Sequence, residues 1–331
     1  MAIHPPQSQL SPPPSRTSGS LRRTLGSEDI WMKLAAPVAL VILVVVFGSL
    51  NSRFLSWPSI TSMLADSSIP IVLALGATFA VSLAGIDLSL AATVALGSVT
   101  MATAYQAGLP LLVCCAVALL TGLAIGTING GFIGWVRIPD FIVTLGSLSV
   151  VMGLSLIVSQ GKPVRIGEQA LTALSTGNIG GIRYNFLLAI AVAVVLHVVL
   201  FHTRFGTHLL AVGDNADAAK AMGLKVPRIK LAGYMICGAM AGVGAILLTS
   251  YIGSSQPATN TDYLLKAIAA VVLGGVSLFG GRATIYGPVI GAILLTFLQS
   301  GLTLLGVDAF YSPLVIGVVV LAAATLMRGR K

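Results

Sequence analysis

The sequence predicts an all-α fold: a polytopic transmembrane helical bundle of about ten spans, in two inverted five-span-like halves with broken helices. Three observations predict it. Charged residues make up only 9% of the chain and hydrophobic residues 56%, whereas a soluble domain carries about 25% charged residues. Nine long stretches contain no Asp, Glu, Lys or Arg. The apolar runs are continuous rather than alternating, which excludes a transmembrane β-barrel. A soluble enzyme, a disordered chain and a nucleic-acid binder are excluded by the same composition. The 19 Lys and Arg against 10 Asp and Glu, net +9, then read as topology and contact with membrane lipid, with no nucleic acid involved.

Residues 1–30 are rich in Pro, Ser and Arg, including Pro12, Pro13, Pro14, Arg22 and Arg23. Such a segment cannot bury enough apolar surface to order itself. It lacks a small-residue cleavage site and reads as a disordered cytosolic tail rather than a signal peptide. Residues 31–328 form the transmembrane domain. Its charge-free runs are Leu34–Ser52, Ser67–Ile86, Leu88–Val136, Phe141–Gly161, Tyr184–Thr203, Leu231–Thr261, Ala267–Gly281, Ala283–Val307 and Ala309–Met327. A helix rises 1.5 Å per residue, so crossing a core about 30 Å thick takes about 20 residues. Leu88–Val136 is too long for one span. The turn signal Gln106-Ala107-Gly108-Leu109-Pro110 splits it, which makes ten. With the amino end inside, 14 of the 19 basic residues fall on inner segments. The positive-inside rule and the even span count therefore agree on two cytoplasmic termini.

The three cysteines, Cys114, Cys115 and Cys237, lie in apolar runs without metal-ligand spacing and read as small packing side chains. Gly122, Gly126, Gly130 and Gly134 share one helix stripe, and Gly238/Gly242 and Gly287/Gly291 repeat the spacing. Such stripes serve tight helix packing or a pathway between moving helices. Two runs look broken. One reaches Gly85-Ile86-Asp87-Leu88-Ser89. The other is short and carries Gly274-Gly275 and Gly280-Gly281. Interrupted apolar segments in both halves point to a translocation pathway, with Gly85, Asp87, Ser89, Asn129, Gly274 and Gly275 as its candidate residues. Asp87 is costly in apolar surroundings. It either caps the next helix or takes part in the pathway.

Residues 203–230 form the longest polar inner loop. Asp214 or Asn215 can N-cap a short helix, Gly223 can end it, and Pro227 prevents its return. Ala218, Ala219 and Met222 give it a small apolar face. The segment is either a docking helix for a soluble partner or a solvated connector.

Four motifs in register then carry a resemblance. They are Gly85-Ile86-Asp87-Leu88-Ser89; Asn129-Gly130 with the run from Ile138 to Gly146; Gly213-Asp214-Asn215 with Ala218-Ala219; and the run from Ala267 to Gly281. From about residue 34 onward the chain resembles the ribose/xylose/arabinose-type sugar permeases of bacterial ABC importers, within the branched-chain-amino-acid/ribose permease superfamily. The resemblance implies a non-catalytic subunit that pairs as a homodimer or heterodimer of permeases in the inner membrane and translocates a pentose, hexose or related polyol. It also implies a periplasmic sugar-binding protein and cytosolic ABC ATPase subunits that bind ATP and Mg. The chain itself holds no cofactor, metal or catalytic residue. Asp214, Asn215, Ala218, Ala219, Met222 and Gly223 then form the coupling helix seated on the ATPase. Position 140 is Asp, where the family commonly has a small residue or Pro, and Gln299 stands where Asn is common. The alternative is a secondary, ion-coupled transporter, with Asp87 and Asp66 as its relay candidates. The chain has no GxxxxGK[ST] loop, so ATP hydrolysis falls to another chain.

Overall fold

The computed structural model describes residues 27–258, 261–311, 313–319 and 321. The tail expected over 1–30 lies mostly outside these residues, as does much of the run Ala309–Met327. The chain folds as helices α1 (Ser27–Leu50), α2 (Trp57–Asp66), α3 (Ser68–Ser82), α4 (Leu90–Gln106), α5 (Leu111–Gly131) and α6 (Asp140–Ser159). There follow α7 (Gln169–Thr176), a hairpin of β1 (Asn178–Ile179) and β2 (Ile182–Arg183), α8 (Tyr184–Phe201), α9 (Arg204–Asp214), α10 (Ala216–Ala221), α11 (Val226–Ile252), α12 (Thr261–Leu273) and α13 (Tyr286–Leu304). Residues 313–319 are helical as well.

The chain is a polytopic helical membrane protein. Among the described residues six segments are long and apolar enough to cross a bilayer: Trp57–Ser82, Leu111–Val136, Asp140–Ser159, Tyr184–Phe201, Val226–Ile252 and Tyr286–Leu304. The helix over Leu34–Leu50 is apolar but shorter. α4 and α12 have 17 and 13 residues, because each adjoins a break in the chain. The long run Leu88–Val136 does split where its turn signal lies. α4 ends at Gln106, Gly108 takes φ 80°, and α5 begins after Pro110.

α11 is the central helix, packed on α3, α4 and α5. Its contact with α5 is made by glycine. A Cβ on Gly122 would overlap the carbonyl oxygen of Gly238, and one on Gly126 would overlap that of Tyr234. A Cβ on Gly130 would come within 2.7 Å of Leu231 Cα, and one on Gly134 within 2.7 Å of the Pro227 carbonyl oxygen. The stripe is therefore a packing seam in which backbone meets backbone, the means by which helices associate without a hydrophobic driving force. Gly287 and Gly291 do the same between α13 and α12, against Gly274 and Ala270. The outer faces of α1, α5, α6 and α8 keep large apolar side chains exposed, among them Val45, Leu120, Ile157 and Val195. That is the surface a lipid-facing helix needs.

α2 and α3 are almost continuous. Their joint is made by Ser67 and Ser68, whose hydroxyls donate to Leu64 O and Ala65 O at 2.6 Å. The β-hairpin lies over the start of α2. Gly180 and Gly181, at φ 61° and 89°, make its two-residue turn, a conformation that glycine adopts without cost. The Trp57 indole lies against Gly181.

The seam sets a mutational contrast. Gly122→Leu drives a side chain into the α11 backbone, which costs about 3 kcal/mol or more, and should cut the amount of folded protein in the membrane at least severalfold. Gly146→Leu, where a Cβ meets nothing within 4 Å, should leave it unchanged. Membrane fractionation and detergent thermostability read both. A second check is orientation. Cysteines at exposed Asn178 and Met222 should react with an impermeant thiol reagent from opposite sides.

Candidate functional site

The first broken helix ends at Ser82 because Leu83–Ser89 turn back before α4. Ala80 O accepts from Leu83 N at 3.1 Å and Gly85 N at 3.0 Å, and Ala84 takes φ 60°. The buried Asp87 then opens α4. Its Oδ1 accepts from Ser89 N at 2.9 Å and from the Ser89 hydroxyl at 2.6 Å. Asn129, on α5, donates its amide to Ser89 Oγ at 2.9 Å. Asp87, Ser89 and Asn129 are thus brought together as one buried polar chain, with Asp87 bonded to Ser89, the residue at the N-cap position of α4. Gly85 belongs to the same junction, since a Cβ there would overlap the Tyr234 hydroxyl.

Asp140 is a member of this junction that the sequence reading passed over. From the first turn of α6 its Oδ2 accepts the Ile86 N–H at 2.7 Å, while the Thr144 hydroxyl donates to Ile86 O at 3.0 Å. Asp140 and Thr144, four residues apart on one helix face, therefore hold both backbone polar groups of Ile86 in the break. The signal was the i, i+4 pair directly after Ile138-Pro139, at a helix start.

The second break follows α12. Gly274 and Gly275 do not join the Asp87 cluster. Gly274 packs on Gly287 and Pro288, and Gly275 turns the chain at φ 76°. The residues that meet the first break are Gly280 and Gly281, at φ 80° and 72°. Gly281 N donates to Ser82 O at 3.1 Å, and a Cβ on Gly280 would come within 2.8 Å of Ala84 N. The end of α9 lies on the same spot. A Cβ on Gly213 would overlap Ser82 O, and Asp214 lies against Gly281.

α10 starts and stops as its residues suggest. Asn215, not Asp214, is the N-cap, with Oδ1 accepting Ala218 N at 2.9 Å. Gly223 takes φ 84°, and Leu224 N returns to Ala219 O at 3.0 Å, as in a Schellman ending. One expectation is corrected. Ala219 is buried in the chain's own core at 5% exposure, because α10 leans on α9 and α11. The outward face carries Asp214, Asn215, Asp217, Ala218, Lys220, Ala221, Met222 and Gly223, with Met222 84% exposed.

A cavity of about 430 Å³ occupies the other end of α3 and α13. Asp66 at the end of α2, Asn185 on α8, Tyr251 on α11, Tyr263 and Lys266 on α12, and Thr296, Gln299, Ser300 and Thr303 on α13 line it. Lys266 Nζ donates to Gln299 Oε1. Asn185 donates to Ala65 O at 3.2 Å and so ties α8 to α2. Asp66 Oδ1 is buried with no hydrogen-bond partner, while Tyr251 and Arg183 flank the same carboxylate. Tyr251 and Leu304, both partly exposed, stand at its rim. The volume falls within the usual 300–1,000 Å³ of small-molecule sites. A wall of amides, hydroxyls and one charge of each sign suits a hydrated polar solute rather than an apolar one.

The bundle thus combines interrupted helices, a polar cavity at one end and a short, separately capped helix at the other. The family model for the branched-chain amino acid transport system permease component matches residues 59–324. The chain belongs to this permease family. Among its relatives, the ribose import permease protein RbsC of Escherichia coli strain K12 is 34% identical over 296 residues, covering 88% of this chain and 92% of the relative. The RbsC of Haemophilus influenzae is 31% identical over 290 residues, 86% of this chain and 90% of the relative. The autoinducer 2 import system permease protein LsrC of Salmonella choleraesuis is 34% identical over 286 residues, 86% of this chain and 82% of the relative. No solved structure matches the chain.

The Asp87 geometry separates a cap from a charge. Asp87→Ala leaves the Ser89 N–H and hydroxyl without an acceptor, which costs about 1–3 kcal/mol, so the thermal midpoint of the purified permease should fall by several degrees. Asp87→Asn keeps Oδ1 and should recover most of that loss. Uptake that stays low in Asp87→Asn at recovered stability assigns the carboxylate charge to the pathway; uptake that returns with stability assigns it to the cap.

Proposed function

We propose that this permease is the membrane-spanning subunit of an ATP-binding-cassette importer and translocates a monosaccharide, a pentose, hexose or related polyol, delivered by a periplasmic sugar-binding protein. The observation that carries the reading is the pairing of a polar cavity at one end with two helix breaks gripped by α9–α10 at the other. Relatives named for the import of ribose and autoinducer 2 support it.

In this reading the chain crosses the inner membrane ten times, in two inverted five-span-like halves. The breaks after α3 and α12 correspond to one another in the two halves, and both termini are cytoplasmic. The cavity then opens to the periplasm and α10 faces the cytosol. Two copies, or this chain and a homologous partner, form the pore. The chain itself is non-catalytic, and ATP and Mg are bound by the ATPase subunits. The outward face of α10, with Ala218 and Met222 beside Asp214 and Asn215, seats in a groove of the ATPase, the helix-in-groove mode. Its motion passes to Gly213, which rests on the Ser82 carbonyl, and from there to both breaks at once. An ion-coupled transporter has no use for a separately capped docking helix joined to α9, whose end rests on both breaks.

Two variants test the coupling path. Met222→Glu places a charge in the ATPase contact without touching the bundle, and a buried unpaired charge costs several kcal/mol. The permease should reach the membrane at normal levels and lose both ATPase association and uptake. Gly213→Ala forces α9 away from Ser82 and should keep the ATPase bound while uptake falls at least tenfold. Retention of wild-type uptake by both variants would make α10 a plain connector. In proteoliposomes, uptake should need ATP and the ATPase; uptake driven by an ion gradient without ATP would reverse the class.

A further inference from the structure

We infer that the cavity between α2, α8, α11, α12 and α13 is a substrate-binding site of this chain, in which Asp66 accepts hydrogen bonds from two adjacent hydroxyls of a neutral sugar. The inference rests on the importer reading and names the site and ligand chemistry within it.

Asp66 Oδ1 is the starting point. Oδ1 is buried and has no hydrogen-bond partner, the residue lines the cavity, and the same carboxylate accepts the Tyr251 hydroxyl. Buried polar side-chain atoms are almost always satisfied, and an exception calls for a missing donor. An ionised carboxylate is an acceptor only, with about four lone-pair sites on two oxygens. A pair of neighbouring hydroxyls matches that pattern, because each O–H can donate to one carboxylate oxygen. On α12, Lys266 is the complementary group. One of its three N–H donors goes to Gln299 Oε1, which leaves two directed at a ligand's oxygens. A wall that accepts from one helix and donates from another selects a solute whose every polar group does both, which is the property of a sugar hydroxyl.

A zwitterionic amino acid is the competing ligand, with its ammonium on Asp66 and its carboxylate on Lys266. Two observations go against it. Asp66 already has a compensating cation, since the Arg183 guanidinium acts on its carboxylate. The Asp262 and Asp66 carboxylates likewise act on the Lys266 ammonium. Neither charge needs a charged ligand group to offset it, whereas both have hydrogen-bond capacity left over. A sugar acid or sugar phosphate would meet the Asp66 charge at close range without the diol contact.

The test is protection from modification on the purified, full-length permease. Ser300→Cys places a thiol on the cavity wall, and a charged thiosulfonate reagent measures its reactivity against the background of the native chain. A panel of aldopentoses and aldohexoses, starting with D-ribose, is added at saturating concentration together with L-leucine as a separate arm. At least one sugar should slow labelling about tenfold, a factor in keeping with one hydrogen bond to a charged group. Its analogue lacking one hydroxyl of the recognised pair should lose most of that protection. In the Ser300→Cys background, Asp66→Asn should abolish protection with the sugar-free labelling rate unchanged, which shows the cavity intact, and Asp66→Glu should restore part of it. The inference is overturned by protection from leucine alone, by sugar protection that survives Asp66→Asn, or by no protection from any sugar. ATP-driven import is measured separately on the assembled transporter. Import without protection removes the site and leaves the importer; protection without ATP-driven import leaves the site and removes the importer.

Discussion

The carbonyl of Ser82 is the last polar group of α3, and two other elements converge on it. Gly281 donates its N–H to it from the second break, and Gly213 at the end of α9 rests on it so closely that no side chain fits between. In a bilayer a helix end cannot be left open, since each unsatisfied backbone group costs several kcal/mol. Ending α3 inside the bundle therefore requires a donor from another segment. The donor comes from the other interrupted region, so each break is completed by its counterpart. This constraint explains why glycine occupies 213, 280 and 281 together. The chain must approach itself without side chains and, at the last two, with positive φ.

The same accounting holds through the rest of the first break. Ala80 O takes two N–H groups, Asp87 takes the N–H and hydroxyl of Ser89, and Asp140 and Thr144 satisfy the N–H and the C=O of Ile86. Irregular backbone at membrane depth is tolerated only where protein surrounds it. Here α5, α6 and α11 supply that surround, and the glycine seam between α5 and α11 lets it close tightly. A junction held by a few hydrogen bonds rather than by apolar packing can be rearranged at modest cost, which suits an element that must move.

Much of this was legible in the sequence, for local reasons. Charge-free runs, the Gln106–Pro110 turn, and the Asn215 and Gly223 signals are all short-range features, and α4, α5 and α10 begin and end at or near them. The link from Asp87 to Ser89 is a contact across two residues and could be read directly. The cavity could not. Its lining comes from six helices spread between Ser59 and Leu304, and in the sequence Lys266 is simply one more basic residue on the outer side. Asp66, an acid beside an apolar run, reads in the sequence only as a relay candidate of an ion-coupled transporter. The burial of Ala219 was hidden because a six-residue helix has no face until its neighbours are known, and α9 and α11 are what cover it. Gly274-Gly275 and Gly280-Gly281 look alike as dipeptides, yet only the second pair reaches the first break.

The two ends of the bundle are built from opposite chemistry, and that difference orders the mechanism. At the cavity end, long polar side chains line open space, with Asp66 Oδ1 unpaired and Lys266 only partly engaged. At the other end, glycines and backbone groups close the space completely around Ser82. In the importer reading proposed above, a solute enters the first without moving backbone and leaves past the second when the breaks part. α3 and α13 run through both regions: the start of α3 and the end of α13 adjoin the cavity, while the end of α3 and the start of α13 adjoin the breaks. α3, at 15 residues, spans about 22 Å at the rise of a helix. A displacement of α9 at Ser82 therefore acts on the same rigid helix whose far end adjoins Asp66. Opening of the closed end and loosening of the ligand's contacts are then two consequences of moving one element.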